Sequence, residues 1–160
     1  MHRTAIILAS DDKGSHEVFG APAVRRLVLA ATRLGFDDIH VVGQVDLLMP
    51  LLSGLVPRHC LHPLKGGESI SLVSRGISLP DEGKVLVMRA HHVIDKTALN
   101  HFLESSGGSG IYHLGVEGGS TAGEGFYLAE SGELLPVLEA MWSGKALDST
   151  VSERVVVVPN

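Results

Sequence analysis

One cysteine, Cys60, occurs in the 160 residues, so no internal disulfide can form and no CxxC arm is available for a metal. Long hydrophobic runs are also missing. A run such as Val155 to Val158 is far short of the roughly 18 to 20 apolar residues that cross a bilayer. The first residues do not follow a signal-peptide pattern, so we expect a cytoplasmic protein without direct membrane insertion. Basic residues are outnumbered, 13 Lys and Arg against 18 Asp and Glu, for a formal charge of −5. A broad nucleic-acid surface needs clustered cations to neutralise phosphates and is not expected. Small anionic ligands need only local positive charge.

What is present suffices for a core. Apolar residues make up 44% and charged residues 19%, which excludes a disordered chain. The length suits a single domain over residues 1–160. Thr4 to Ala9 is a short apolar run ending at Ser10, Asp11 and Asp12, as in a buried strand. A loop to about Ala21 precedes a helix from Pro22, with Val24, Leu27, Val28, Ala31 and Leu34 on one stripe and Gly35 as its stop. Ile39 to Val42 predicts a second strand, Leu47 to Leu52 a short helix, and Arg58 to Leu61 a third strand. Glu68 to Gly76 predicts a helix with Ile70, Val73 and Ile77 inward, and Val85 to Met88 a central strand. Asp95 is placed as the N-cap of a helix carrying Ala98, Leu99, Phe102 and Leu103. Ile111 to Val116, Phe126 to Leu128 and Arg154 to Val158 predict further strands. Leu134, Leu135, Leu138 and Met141 mark the last helix. Strands alternating with helices imply a three-layer α/β/α domain with a mainly parallel sheet.

In such sheets ligands bind beyond the carboxyl ends of the strands, here the loops after Ala9, Val42 and Met88. Common signatures are absent there. Gly144-Lys145 is followed by Ala146 and lacks the upstream glycine of a phosphate loop, and neither GxGxxG nor GxSxG occurs.

The order of elements resembles the nucleotidyltransferases that join a nucleoside triphosphate to a sugar phosphate, inositol phosphate or molybdopterin. TAIILAS is similar to their first strand, and Gly20 to Gly43 (GAPAVRRLVLAATRLGFDDIHVVG) to their GKPLI-type helix and next strand. Gly66 to Asp95 resembles the segment leading to the metal-binding GDH or SDH strand end, and Gly123 to Met141 the strand and helix reading tGiyll…ll. The nearest resemblance is to cytidylyltransferase-like domains associated with CDP-alcohol phosphatidyltransferases. It implies a nucleotide-diphospho-sugar-transferase-like (GT-A) fold, Mg2+ if the chain is active, a nucleotide or alcohol phosphate as ligand, and attachment to a membrane phosphotransferase domain; a homo-oligomer is compatible with it.

Two departures matter. The family's loop, roughly LAAGxGxR…PK, surrounds a triphosphate with backbone N–H groups and cations. Here Asp11 to Phe19 supply one glycine, Gly14, and one lysine, Lys13, and start with two carboxylates that repel phosphate, while Ala21 replaces the lysine of GKPL. At the end of the central strand the family has a metal aspartate. Arg89-Ala90-His91-His92 puts His91 there, and imidazole suits Zn2+, Ni2+ or Cu2+ better than Mg2+. Relatives carry a second metal aspartate on a late strand, and Asp148 sits in no matching motif. The resemblance assigns nucleotide contacts to Ala9, Ser10, Gly14, Ser15, Gly67, Glu68 and Ser69, and catalytic contacts, if any, to Lys13 and Arg89.

Each candidate has a plainer alternative. Lys13, Ser15 and His16 form either a residual anion loop or a solvated turn. His91 and His92 are either a ligand or acid–base pair or polar residues at a strand end, and Arg89 binds phosphate or pairs with Asp95. Gly67 and Ser69 open a helix toward an anion or simply make a capped turn. His59, Cys60 and His62 offer metal-ligand atoms, but alternation along a strand sends His59 and Cys60 to opposite faces, which favours Cys60 as a small buried apolar side chain. Three functions follow: a nucleotidyltransferase-like binding or regulatory module with lost or weakened catalysis, an active divergent cytidylyltransferase, or a transition-metal protein using His91 or His92. The end at Pro159-Asn160 fits either the N-terminal domain of a longer protein or a trimmed family member.

Overall fold

Residue Thr4 begins a strand with every side chain out of water: β1, Thr4–Ala9, is buried throughout. Burial on both faces suits an apolar run in the middle of a parallel sheet. The structure, a computed structural model, describes residues 3–10, 17–18, 20–74, 76–77, 79, 83–90, 94, 96–116, 125–144 and 153–158. After β1 come a two-residue antiparallel pair, β2 (Glu17–Val18) and β3 (Ala21–Pro22), within the expected loop. Then follow α1 (Ala23–Arg33), β4 (Asp38–Gly43), α2 (Val45–Leu52), a 3-10 turn (Arg58–Cys60), β5 (Leu61–Pro63) and α3 (Ser71–Ser74). β6 (Lys84–Arg89), α4 (Lys96–Glu104), β7 (Ile111–Val116), β8 (Phe126–Glu130), a second 3-10 turn (Ser131–Glu133), α5 (Leu134–Ser143) and β9 (Glu153–Val158) complete the order.

The main sheet has seven strands in the order β5-β4-β1-β6-β8-β7-β9. β1 pairs in parallel with β4 and β6, so Ile6 lies between His40 and Val87. β8 alone runs antiparallel, to both β6 and β7. Side chains alternate across the sheet and build two cores. Ala5, Ile7, Val41, Leu86 and Met88 pack with α1, α2 and Phe102 of α4. Ile6, Leu8, Val42, Val85 and Val87 pack with Ile70 and with Leu134, Val137, Leu138 and Met141 of α5. This is the expected three-layer architecture.

Local chemistry sets the corners. At the end of α1, Gly35 takes φ +88, Gly35 N–H bonds the Thr32 carbonyl at 3.1 Å, and Phe36 N–H reaches the Ala31 carbonyl at 3.1 Å. These two bonds make a Schellman stop, and buried Phe36 supplies its usual apolar contact. Arg3 braces the same corner, donating from Nη1 to the Leu34 carbonyl at 2.8 Å and lying over the Phe36 ring. Arg25 donates to the Leu51 carbonyl at 3.1 Å and so satisfies an orphan group at the end of α2. Lys84 donates to the Ser106 and Gly108 carbonyls and packs over Tyr112, tying the start of β6 to the α4–β7 turn.

Three expectations need correction. Arg58–Cys60 is a 3-10 turn and the strand begins at Leu61, because Cys60 N–H turns back to the Pro57 carbonyl at 3.0 Å. The helix expected over Glu68–Gly76 is described only for Ser71–Ser74, since Glu68 and Lys65 close their own turn first. Leu135 is 41% exposed: Leu134, Val137, Leu138 and Met141 occupy the inward i, i+3, i+4, i+7 stripe and leave it outside. The Asp95 cap lies outside the described residues.

Phe102 is fully buried against the sheet, so Phe102→Ala is expected to cost about 3–5 kcal/mol, whereas Leu47→Ala at an exposed site stays within about 0.5 kcal/mol. Urea midpoints at an unchanged m-value check both. At Gly43 (φ +127) an added Cβ would sit 2.1 Å from the Ala9 carbonyl oxygen. Gly43→Ala should therefore remove about 3 kcal/mol or more of stability in the same assay.

Candidate functional site

The carboxyl ends of β1, β4, β5 and β6 lie side by side. Gln44 N–H bonds the Ala9 carbonyl at 2.9 Å, Ala90 N–H bonds the Leu8 carbonyl at 2.9 Å, and Leu64 N–H bonds the Gly43 carbonyl at 3.1 Å. These bonds continue the ladder one residue past the strands. Ala9 is buried and its carbonyl is taken by Gln44, which leaves half-buried Ser10 as the first partly exposed residue of that strand end. Gln44 Nε2 points to the Ser10 carbonyl at 3.5 Å.

Beyond β5 a glycine turn rises at the same edge. Gly67 has φ +89, which a residue with a side chain rarely adopts. Lys65 N–H donates to Glu68 Oε1 at 2.8 Å, and Glu68 N–H donates to the Lys65 carbonyl at 3.1 Å. The carboxylate of Glu68 thus serves its own turn. Trp142, at the end of α5, donates its indole N–H to the Glu68 carbonyl at 3.1 Å and pins the turn from below. Ser69 and Ser71 hydroxyls share a 2.7 Å hydrogen bond.

Arg89 closes β6 opposite Leu8. Alternation with Val85 and Val87 places it on the sheet face of α5 and the Glu68 turn. Ser10, Gln44 and Arg89 thus stand at the carboxyl ends of the neighbouring strands β1, β4 and β6, and Gly67, Glu68 and Ser69 lie in the turn that follows β5. Asp11, Asp12, Lys13, Gly14, Ser15, His16, His91, His92, Asp95 and Asp148 lie outside the described residues.

A hard divalent cation at this edge needs carboxylate oxygens. Among the described residues there, Glu68 is engaged in its turn and Asp46 is exposed in the first turn of α2. At the end of β6, where the resemblance seats an aspartate, Arg89 is followed by buried Ala90. The described residues do not fit Mg2+.

A second group gathers elsewhere, at the sheet edge toward the start of β4. Asp38, His40 and Cys60 each present one ligand atom, all within 4.8 Å of one another. Cys60 is buried, as its apolar character predicts, and burial, with the nearby Asp38 charge, pushes its thiol pKa up. His62 meets His40, with Nε2 3.0 Å from His40 Nδ1. Burial first, then His40 and His59, pull the His62 pKa down against an opposing pull from Asp38. The sequence reading weighed His59, Cys60 and His62 and missed Asp38 and His40. The available signal was the spacing of two, which sets Asp38 and His40 on one face of β4.

No protein-family model and no curated protein matches the chain. Solved structures do. Rv0371c of Mycobacterium tuberculosis, solved as a complex with manganese, aligns over 100% of this chain and 90% of its own at 10% identity and TM-score 0.64. The inositol-1-phosphate CTP transferase of T. maritima covers 99% of this chain and 86% of its own at 14% identity and TM-score 0.66. The 4-diphosphocytidyl-2C-methyl-D-erythritol synthase of Anaerococcus prevotii covers 99% and 89% at 12% identity and TM-score 0.66. At these identities the likeness is one of architecture: the chain has a nucleotidyltransferase-like α/β fold.

Proposed function

We propose that the chain is a cytidine-nucleotide-binding domain whose transfer chemistry is lost or weakened, serving as a binding or regulatory module in phospholipid head-group or sugar-phosphate metabolism. The observation that carries this reading is the strand-end platform. Its floor is held by the Gln44–Ala9, Ala90–Leu8 and Leu64–Gly43 hydrogen bonds and its side by the Trp142-pinned Glu68 turn, while the loop after Ser10 keeps a single glycine, Gly14. Two fold neighbours bear names of cytidylyl chemistry, which favours cytidine over other bases. Ser10 and the Gly67–Ser69 turn are assigned to the nucleoside, and Arg89 to a phosphate, where a planar guanidinium can grip two oxygens. Attachment to a CDP-alcohol phosphatidyltransferase domain is the setting we favour.

An active chain would direct an oxygen of an alcohol phosphate at the α-phosphorus of CTP, forming a new P–O bond as pyrophosphate leaves with the electrons of the broken one. Positioning and charge stabilisation would drive that step. Arg89, a candidate cation at the end of β6, favours this second reading. The stripped loop opposes it.

Millimolar CTP is expected to raise the melting temperature, by a stabilisation of about 2.7 kcal/mol when the ligand stands at a hundred times its Kd. Pyrophosphate release with Mg2+ or Mn2+ and a panel of alcohol phosphates should stay at background. Turnover above background selects the active reading, and no shift with any nucleoside triphosphate removes both. Trp142→Phe keeps an aromatic side chain, though a smaller one, and deletes the donor to Glu68. It should cost about 1 kcal/mol and shrink the CTP-induced shift, both read by thermal melts with and without nucleotide.

A further inference from the structure

We infer that Asp38, His40 and Cys60 form a Zn2+-type transition-metal site at the sheet edge, independent of the nucleotide platform. β4 runs from Asp38 to Gly43, so at about 3.3 Å per residue His40 lies about 10 Å, and Asp38 about 16 Å, from the strand end at Gly43. Its donors are an imidazole nitrogen, a thiol sulfur and a carboxylate oxygen. That mixture suits Zn2+ and is foreign to Mg2+ or Ca2+.

The spacing is right for coordination. Ligand bonds of about 2.0–2.3 Å in a tetrahedron put donor atoms roughly 3.3–3.7 Å apart. Here His40 Nε2 and Asp38 Oδ1 are 3.0 Å apart, and all three donors fall within 4.8 Å. Adjustments well under the length of a bond bring them to a common ion.

His40 supplies the second, independent observation. It is 7% exposed, and its Nε2, 3.0 Å from Asp38 Oδ1, makes no hydrogen bond. A buried polar nitrogen without a partner is costly. His40 Nδ1 meets His62 Nε2 at 3.0 Å. If His40 Nδ1–H is the donor there, Nε2 carries a lone pair that faces a carboxylate oxygen, a repulsive arrangement unless a cation lies between them. A ligating histidine commonly donates its other ring N–H to a neighbour that fixes its tautomer, and His62 fills that role.

Charge also balances. A dication with one thiolate, one carboxylate and a neutral imidazole has no net charge, as a site at a buried cysteine requires. Loading replaces the Cys60 S–H bond with an S–metal bond and releases the proton to solvent, so affinity rises with pH. The bound ion would staple the 3-10 turn before β5 onto β4. β5 has only three residues to hold it in the sheet.

The test uses the full chain, tag-free and stripped with chelator, titrated with Co2+ and then Zn2+. One equivalent of Co2+ should bind with a thiolate-to-metal charge-transfer band, be displaced by Zn2+, and raise the melting temperature. Cys60→Ser should abolish the charge-transfer band, and Asp38→Asn and His40→Gln should abolish stoichiometric binding. His62→Ala should weaken binding about 10- to 100-fold, and His59→Ala should leave it unchanged. Absence of stoichiometric Co2+ and Zn2+ binding in the wild-type chain overturns the inference without any variant. So does a folded Cys60→Ser protein with wild-type Zn2+ affinity.

Discussion

The structure depends on the burial of β1 from both faces and both edges. Six residues, Thr4–Ala9, are out of water, and their backbone groups have only β4 and β6 to bond with. An unpaired peptide group in that position would cost as much as a lost hydrogen bond. The neighbours must therefore arrive in register, with α1 and α5 covering opposite faces. The same demand creates the platform. Where β1, β4 and β6 end together, their last ladder bonds immobilise Ala9, Gly43 and Ala90 and leave Ser10, Gln44 and Arg89 at the rim.

Much of this was legible in the residues. A six-residue apolar run closed by Ser10 and two aspartates can hardly be anything but a buried strand, and the stripe from Val24 to Ala31 with Gly35 behind it specifies both the helix and its Schellman stop. Short pieces were less legible. Arg58 to Leu61 has too few residues for any period to show, and the bond from Cys60 to Pro57 decides for a 3-10 turn. Leu135 is apolar and sits beside true core residues, yet the spacing of Leu134, Val137, Leu138 and Met141 already excluded it from the stripe. The antiparallel strand of the main sheet, β8, was not foreseen, because direction follows from which strands become neighbours.

The two candidate sites differ in the same way. Ser10, Gly67, Glu68 and Arg89 lie at strand ends, and a parallel sheet gathers strand ends wherever the order permits. The edge group needs more. Asp38 and His40 share a face through local alternation, but only the pairing of β4 with β5 brings Cys60 and His62 to them. A lone cysteine and scattered histidines show nothing of this until the strand order is known.

The strand order also governs how the chain reaches this state. β1 finds β4 after one helix, but its other partner, β6, lies in the second half of the chain, and β8 must slot between β6 and β7 before β9 can close the sheet. Closing such distant pairs costs loop entropy before any burial repays it, so folding is expected to be slow for a domain of this size. During synthesis the β1-α1-β4 unit emerges with the Ile6–Leu8 edge open, an apolar strand edge available to other extended chains until β6 arrives.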